Sequence, residues 1–332
     1  MRKNKLKIIN MKKYYSIEQF RSVVRTVKTQ HDYQGKDENG EAIYQHLSNY
    51  PTLKFQGTVK LHGTNASVVK YKDGRLEYQS RERVLSLEQD NANFMMSMMP
   101  KNLDFLFSDI KFDDYCAVYG EWCGGNIQKG VALNGLPKMF IIFGIKVDDE
   151  WVELPSWKHD NENVIYNILQ FPTFDVDIDF NNPELIQNKL LEDTLAVEDE
   201  CPVGKYFGVS GIGEGIVYKC TTNPNLIFKS KGEKHSVSKV KTINAVDVET
   251  LAGIQEFVDS VVTKNRLEQG LAYLYEMKIE ISPKTTGDFL GWVVRDVLKE
   301  ETDTIVANQF DMKKVKGAVV NKARMWYLNR LQ

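Results

Sequence analysis

Between residues 58 and 231 the apolar positions fall in short runs and alternations, the period-two pattern of strands. Segments 66–71 and 76–80 flank Lys72-Asp73-Gly74-Arg75 and predict a hairpin around an Asp-Gly turn. Segment 115–123 predicts a strand. The strongly apolar 139–147 predicts a central one, which Asp148-Asp149-Glu150 turns into a further strand over 151–154. Segments 211–220 and 226–231 read as two more strands, and Gln56 to Leu61 as a short one. After about Asn244 the period changes to 3.6, with Val248, Leu251, Ala252, Ile254, Phe257, Val258 and Val261, then Leu267, Leu271 and Leu274. Segments 289–298 and 315–331 continue this helical pattern. Shorter helices are expected elsewhere. Ser16 with Gln19 caps one through about Val27. Ser86 with Gln89 opens one whose Phe94, Met95, Met98 and Met99 serve as core. One lies near 156–169, and one starts at Asn182-Pro183, where Asn caps and Pro takes the first turn. Segment 34–41, with Gly35 and Gly40, reads as a polar loop. The change of texture places a domain boundary at about 236–245.

Composition narrows this picture. A chain of 332 residues is long enough for one large or two ordinary domains. Its net charge of -2 excludes a generally basic nucleic-acid coat, so any such site is local. The four cysteines, Cys116, Cys123, Cys201 and Cys220, form no CxxC pair and no zinc spacing, which predicts buried free thiols in a reducing compartment. No apolar run approaches the ~18 residues of a membrane span. Residues 6–9 are too short for a secretory core. A cytoplasmic, monomeric protein is the expectation, with residues 1–10 as a loose extension.

Candidate chemistry lies at strand ends. Lys60 closes a strand against His62-Gly63-Thr64-Asn65. Gly120-Glu121 and Glu214-Gly215 each place a carboxylate at a strand, and Phe143 puts an aromatic ring on the most apolar one. Lys229 and Lys231, at i and i+2, share one strand face. Taken singly, each is more often a solvated or core residue; their order and chemistry together are what point to a site. Two basic runs stand out. Lys219 to Lys241 holds six lysines and one acid, Glu233. Lys313 to Arg330 holds six basic residues and no acid. The first coincides with the candidate strands and favours phosphate. The second fits phosphate binding and a solvated helix face equally.

The ordered set resembles the nucleotidyltransferase motifs of covalent polynucleotide ligases and capping enzymes, most closely ATP-dependent RNA ligases of the nick-sealing, RNA-ligase-2 type. The likeness rests on Lys60 to Asn65, Arg81 after a strand, 119–129, Phe143, 214–219, 229–231 and 287–301, and covers about 11–331. It implies an α+β nucleotidyltransferase domain over 11–240, with ATP-grasp-like antiparallel sheets and helices, and a small all-α domain over 245–332. It further implies that Lys60 is the nucleophile toward ATP, giving lysyl-AMP, then adenylylated RNA, then a sealed bond between 5′-phosphate and 3′-OH ends, in a nicked duplex. Lys229 and Lys231 would neutralise the α-phosphate, Glu214 would hold Mg2+ (or Mn2+), Glu121 the ribose, Phe143 the adenine, and Arg81 the ribose or the RNA 5′-phosphate. Leu61, His62 and Asn65 would line the nucleotide; His62 would contact pyrophosphate or orient the motif, with a purely structural imidazole as its close alternative. Lys219 and Lys234 would join Arg81 on RNA. Arg83 competes with Arg81, and nothing carries over to 155–210. DNA ligases and capping enzymes usually follow the lysine with x-Asp-Gly and carry an OB-fold; His62-Gly63-Thr64-Asn65 and the helical tail point away from both. They remain the alternatives, with a non-catalytic RNA-end-binding protein, against which stands the complete set of Lys60, Glu121, Glu214, Lys229 and Lys231.

Overall fold

Helix α1 (Phe20–Asp32) turns Phe20, Val23, Val24 and Val27 inward, the i, i+3, i+4, i+7 face of an amphipathic helix. Its N-cap is Gln19, without a side-chain cap, so the expected Ser16 capping box does not form and the helix runs five residues past Val27. It leads into a small antiparallel hairpin, β1 (Tyr33–Lys36) with β2 (Ala42–Tyr44), where a polar loop is expected. Strand β3 (Thr52–Lys60) follows and ends on Lys60. The computed structural model describes residues 11–155, 164–236 and 253–331. The expected extension 1–10, positions 156–163, Lys239, Lys241, Val248, Leu251 and Ala252 lie outside the described residues.

The chain divides into two units, and the division crosses the Leu61–His62 peptide. The unit containing 62–129 and 133–170 is built on one sheet. Its strands are β4 (Thr64–Tyr71), β5 (Leu76–Ser80), β6 (Tyr115–Cys123), β7 (Met139–Val147) and β8 (Glu150–Val152), in the order β5-β4-β6-β7-β8, all antiparallel. A short β9 (Ile165–Asn167) pairs parallel to β7 and continues into a 3-10 turn, so 165–170 is not the helix expected there. Its buried Ile165 and Tyr166 suit a strand at a sheet edge. One face of the sheet packs Val68, Val118, Trp122, Phe140 and Ile142 around Phe94 and Met98. These two come from α2 (Phe94–Met98), only five residues long. Ser86 does accept from the Gln89 amide (3.2 Å) but starts no helix. Instead the Asp90 carboxylate takes the Met95 and Met96 amides (both 2.9 Å). Met99, expected in the core, is half exposed.

The other unit carries a four-stranded sheet in the order β10-β3-β11-β12, wholly antiparallel, with β10 (Thr173–Asp179), β11 (Gly215–Cys220) and β12 (Ile227–Lys231). Phe55, Val59, Ile216, Tyr218 and Phe228 face one side, where Phe228 stacks between Phe20, Phe55 and Tyr218 at ring separations of 5.0 to 5.5 Å. Each such buried ring contributes about 1.5–3 kcal/mol. Helices α3 (Gln187–Asp199) and α4 (Pro202–Tyr206) belong to the same unit. Before α3, Pro183 opens a 3-10 turn, and Asn182 donates to Asp179 rather than capping. The four cysteines are free and buried.

Helices α5 (Ile254–Val261), α6 (Lys264–Glu276), α7 (Thr286–Ala307) and α8 (Met312–Arg330) close the chain around Phe257, Leu271, Leu274, Phe289, Val293, Val319 and Tyr327. Thr263 caps α6 and Asp311 caps α8 through their side chains. No described helix is long and apolar enough to cross a membrane. Among these helices lies Arg266, fully buried, bound to Asp296 (2.8 Å), Glu300 (2.7 Å) and the Val261 carbonyl (2.5 Å). Removing one partner of a buried ion pair strands the other's charge, at a cost of about 3–5 kcal/mol. Arg266→Ala is therefore expected to lower stability by about that amount in urea unfolding of the whole chain; a loss under about 1 kcal/mol would contradict the role given to this cluster.

Candidate functional site

The polar face of the four-stranded sheet is sorted by charge. Directly opposed residues of an antiparallel pair point the same way, and side chains alternate along each strand. Lys60 stands opposite Gly215, which stands opposite Lys231; one step along, Thr58, Val217 and Lys229 are aligned in the same manner. Lys60, Lys229 and Lys231 therefore share the face away from Phe228. On β10, Asp175, Asp177 and Asp179 oppose Gln56, Lys54 and Thr52 and make the other margin of this face acidic.

Glu214, just ahead of β11, joins the lysines. Its carboxylate lies 2.8 Å from Lys60 Nζ through one oxygen and 2.8 Å from Lys231 Nζ through the other. Gly215 makes room for this. Its φ is +145°, and an added Cβ would fall 2.0 Å from the Ser230 carbonyl oxygen. Glu214 is 5% exposed, so the charge between the lysines is held away from bulk water. Burial alone would depress the pKa of the Lys231 ammonium, but Glu214, with Glu300 and Asp296 beyond it, outweighs burial and holds it above the ordinary lysine value. Among the described residues no group of three His, Cys, Asp or Glu side chains is placed to hold a metal. Mg2+ binds through as few as one or two carboxylates and takes its remaining oxygens from water and phosphate, so Glu214, whose two oxygens here hold lysines, would be able to offer it a ligand.

Lys229 is engaged differently. Its Nζ lies 2.5 Å from Glu300, the α7 carboxylate that also binds Arg266. Burial would raise the Glu300 pKa, yet Lys229 and Arg266 pull it down to about 2. Lys234 is exposed, and its amide donates to Glu198 (2.7 Å). Asn265 of α6 donates to the Lys234 and Ser236 carbonyls (both 2.9 Å), which ties the chain after β12 to the helices. Lys219 lies on β11 opposite Gln56.

In the other unit, the segment after Lys60 lies against β6. A Cβ on Gly63 would fall 2.4 Å from the Trp122 carbonyl oxygen and 3.0 Å from Glu121 Cγ, so only glycine fits this approach. Asn65 pairs with Glu121 across the β4–β6 ladder. Asn91 donates to Thr64 Oγ1 (2.8 Å), and Gln128 donates to the Gly63 carbonyl (3.4 Å). Phe143 is half-buried and meets Tyr14 edge-on at 5.0 Å, in a cluster with Tyr119 and Trp151. Of the competing arginines, Arg83 is used locally, its guanidinium donating to the Gln89 and Asp90 carbonyls. Arg81 stays solvent-facing beside Glu82.

The structure thus brings Lys60, Glu214 and Lys231 into one contact set with Lys229 beside it, and places His62, Asn65, Arg81, Glu121 and Phe143 in the second unit. Sequence reading missed Glu300, Arg266, Asn91 and Gln128 as partners of these residues. Glu300 and Asp296 lie in the segment 287–301 that carries the resemblance, and being four apart on α7 they share a helix face, but neither signal named their basic partners.

This arrangement, a strand-end lysine bridged through a carboxylate to a second lysine across the sheet, defines the class of site the fold builds. The sequence matches the family model described as RNA ligase over residues 53–241, more than half of the chain, and the chain belongs to the RNA ligase family. No curated protein matches it. Among solved structures it is similar to the Naegleria gruberi RNA ligase with pyrophosphate, at 18% identity over 68% of this chain and 56% of that one, TM-score 0.41. A mutant of that ligase with ATP and manganese gives 19% identity over 68% and 57%, TM-score 0.43. The chain spans 56% of the length of the first of these.

The pH response of the Glu300 contact follows from the depressed carboxylate. A carboxyl group whose native pKa is about 2 against an ordinary 4.5 stabilises the fold fully above about pH 4.5, and that contribution disappears as pH falls toward 2. The unfolding free-energy difference between the parent and Glu300→Gln is expected to stay constant from pH 5 to pH 8 and to shrink steadily between about pH 4.5 and 2; a difference unchanged down to pH 2 would contradict the ion pair's role.

Proposed function

We propose that this chain is an ATP- and Mg2+-dependent RNA ligase that joins 5′-phosphate to 3′-OH ends, acting on breaks in duplex RNA. The observation that carries this reading is Lys60 at the end of β3, bridged through Glu214 to Lys231. In the first step Lys60 Nζ attacks the α-phosphorus of ATP. A P–N bond forms, the P–O bond to pyrophosphate breaks, and lysyl-AMP results. The proton must leave Nζ before attack, and Glu214 is the acceptor it already touches at 2.8 Å. Lys231, a compact point charge, faces the negative charge that grows on the phosphoryl oxygens. Mg2+ on Glu214 would supply further neutralisation there. AMP then passes to the RNA 5′-phosphate with release of the lysine amine, and the 3′-OH displaces AMP to form the phosphodiester.

While Lys60 donates to Glu214 as an ammonium it has no lone pair for attack. Nucleotide entry is the event that redistributes this contact, since a triphosphate competes for both lysines and a metal for the carboxylate. In the second unit Glu121 would contact the ribose, Phe143 the adenine, Arg81 the RNA phosphate or ribose, and His62 and Asn65 the nucleotide; Leu61, next to Lys60 in the first unit, would line the nucleotide too. Lys229 is proposed to reach phosphate only after leaving Glu300, and Lys219 and Lys234 to contact RNA.

Intact-mass measurement after incubation with ATP and Mg2+ is expected to show one AMP adduct, absent in Lys60→Ala. An adduct that survives Lys60→Ala, or none in the parent, would overturn the reading. GTP in place of ATP tests the capping alternative. Nicked duplexes with RNA or DNA on the 3′-OH side test the DNA-ligase alternative.

A further inference from the structure

The RNA-ligase reading leaves the last helix without a task. Helix α8 buries Val315, Val319, Ala323 and Tyr327 against its neighbours. Two of its cations are spent internally, Lys322 on Asp259 (2.8 Å) and Arg330 on Glu268 (3.1 Å). The other four, Lys313, Lys314, Lys316 and Arg324, are exposed and make no ion pair among the described residues. No acidic residue occurs anywhere in α8.

Their placement is regular. At 3.6 residues per turn, eleven residues make about three full turns, so Lys313 and Arg324 fall on one line along the helix, separated by ~16 Å. Lys316 lies about 60° to one side of that line, at its inner margin, while Lys314 lies about 100° round the other side and points away from it. Gly317 lies beside it, and a Cβ there would meet nothing within 4 Å, so the surface between the cations is low and open. No aromatic ring projects from this face: Trp326 stacks on Phe289 and Tyr327 is buried with it.

We propose that the exposed stripe of Lys313, Lys316 and Arg324 on α8 is a docking surface for the phosphate backbone of duplex RNA flanking the break. The inference rests on the RNA-ligase reading and adds a surface to it. Charge complementarity selects the partner. A duplex presents closely spaced phosphates along a path longer than the ~16 Å of the cationic line, and unpaired lysines and arginines release its condensed counterions. The lack of stacking aromatics favours a duplex over a single strand, which is held by base–aromatic stacking. The chain as a whole carries two more acids than bases, so the field of this face is local and directional.

The test uses the full-length triple variant Lys313→Gln, Lys316→Gln and Arg324→Gln, in which glutamine preserves helix propensity. Binding to a nicked RNA duplex is measured against salt concentration, alongside AMP-adduct formation from ATP. The expected result is an affinity weakened by about tenfold or more at low salt, with the log K against log salt slope reduced by about two to three. The AMP adduct is expected to form as in the parent. The charge-preserving variant Lys313→Arg, Lys316→Arg and Arg324→Lys is expected to bind as the parent does. An unchanged slope and affinity in the glutamine variant would overturn the surface. So would equal loss in the charge-preserving variant, or failure of the parent to bind duplex RNA. Loss of the parent's AMP adduct is a separate result, which would overturn the ligase reading itself.

Discussion

The polar face of the four-stranded sheet depends on a single carboxylate. Lys60 and Lys231 come from strands on either side of β11, and the ladder fixes their side chains on the same face. Two ammonium groups in partly buried positions repel, and Glu214 resolves this by giving one oxygen to each. The backbone at Gly215 permits the arrangement, since any side chain there would collide with β12. The geometry that makes the site chemically capable is thus also what makes the sheet tolerable as a folded object. Any anion that took over either lysine would weaken this contact.

A second ionic set lies beside the first and is of a different kind. Glu300 receives both Lys229 and Arg266, and Arg21 of α1 binds Glu301 and Asp303 of the same helix. Such buried pairs are poor sources of net stability, because desolvation offsets their attraction. They are exacting about geometry, however, since a partner left behind is expensive. Their consequence here is orientation: α7 is held against β12 and α1 at fixed positions, and the lysine two residues before Lys231 is committed to a helix rather than to the open sheet face.

Strands 115–123 and 139–147 were readable to the residue because buried strands are continuous apolar runs. The face shared by Lys229 and Lys231 followed from alternation alone, while the strand read over 56–61 begins four residues earlier and ends one residue sooner, at Lys60. The α2 start was misread because Ser86 and Gln89 have the composition of a capping box, while the cap is supplied by Asp90 through loop geometry that composition does not encode. The 33–44 hairpin was hidden by its polar sequence and few buried positions. Glu300 and Arg266 were illegible for a different reason. Their partners are far away in sequence, and a charged residue on a helix looks the same whether it faces solvent or a buried guanidinium.

That ambiguity is resolved for the helical region by asking where each charge went. Four of the five acids of α7 are taken by basic partners: Asp296 and Glu300 by Arg266, Glu300 by Lys229, Glu301 and Asp303 by Arg21; Asp288 is exposed. Acids on α5 and α6 are matched to the two cations at the inner margins of α8. What remains outside on α8 is positive, although the sequence as a whole is slightly acidic. An even scatter of charges would have been the neutral outcome for a solvated helix. Here folding contacts take up many of the neighbouring acids, although Asp288 and the N-cap Asp311 stay exposed, so net charge read from composition understates the field along this stripe. Segregation of this sort is visible only after the pairs are known, and it explains why a nearly neutral chain can still offer a polyanion a defined place to lie.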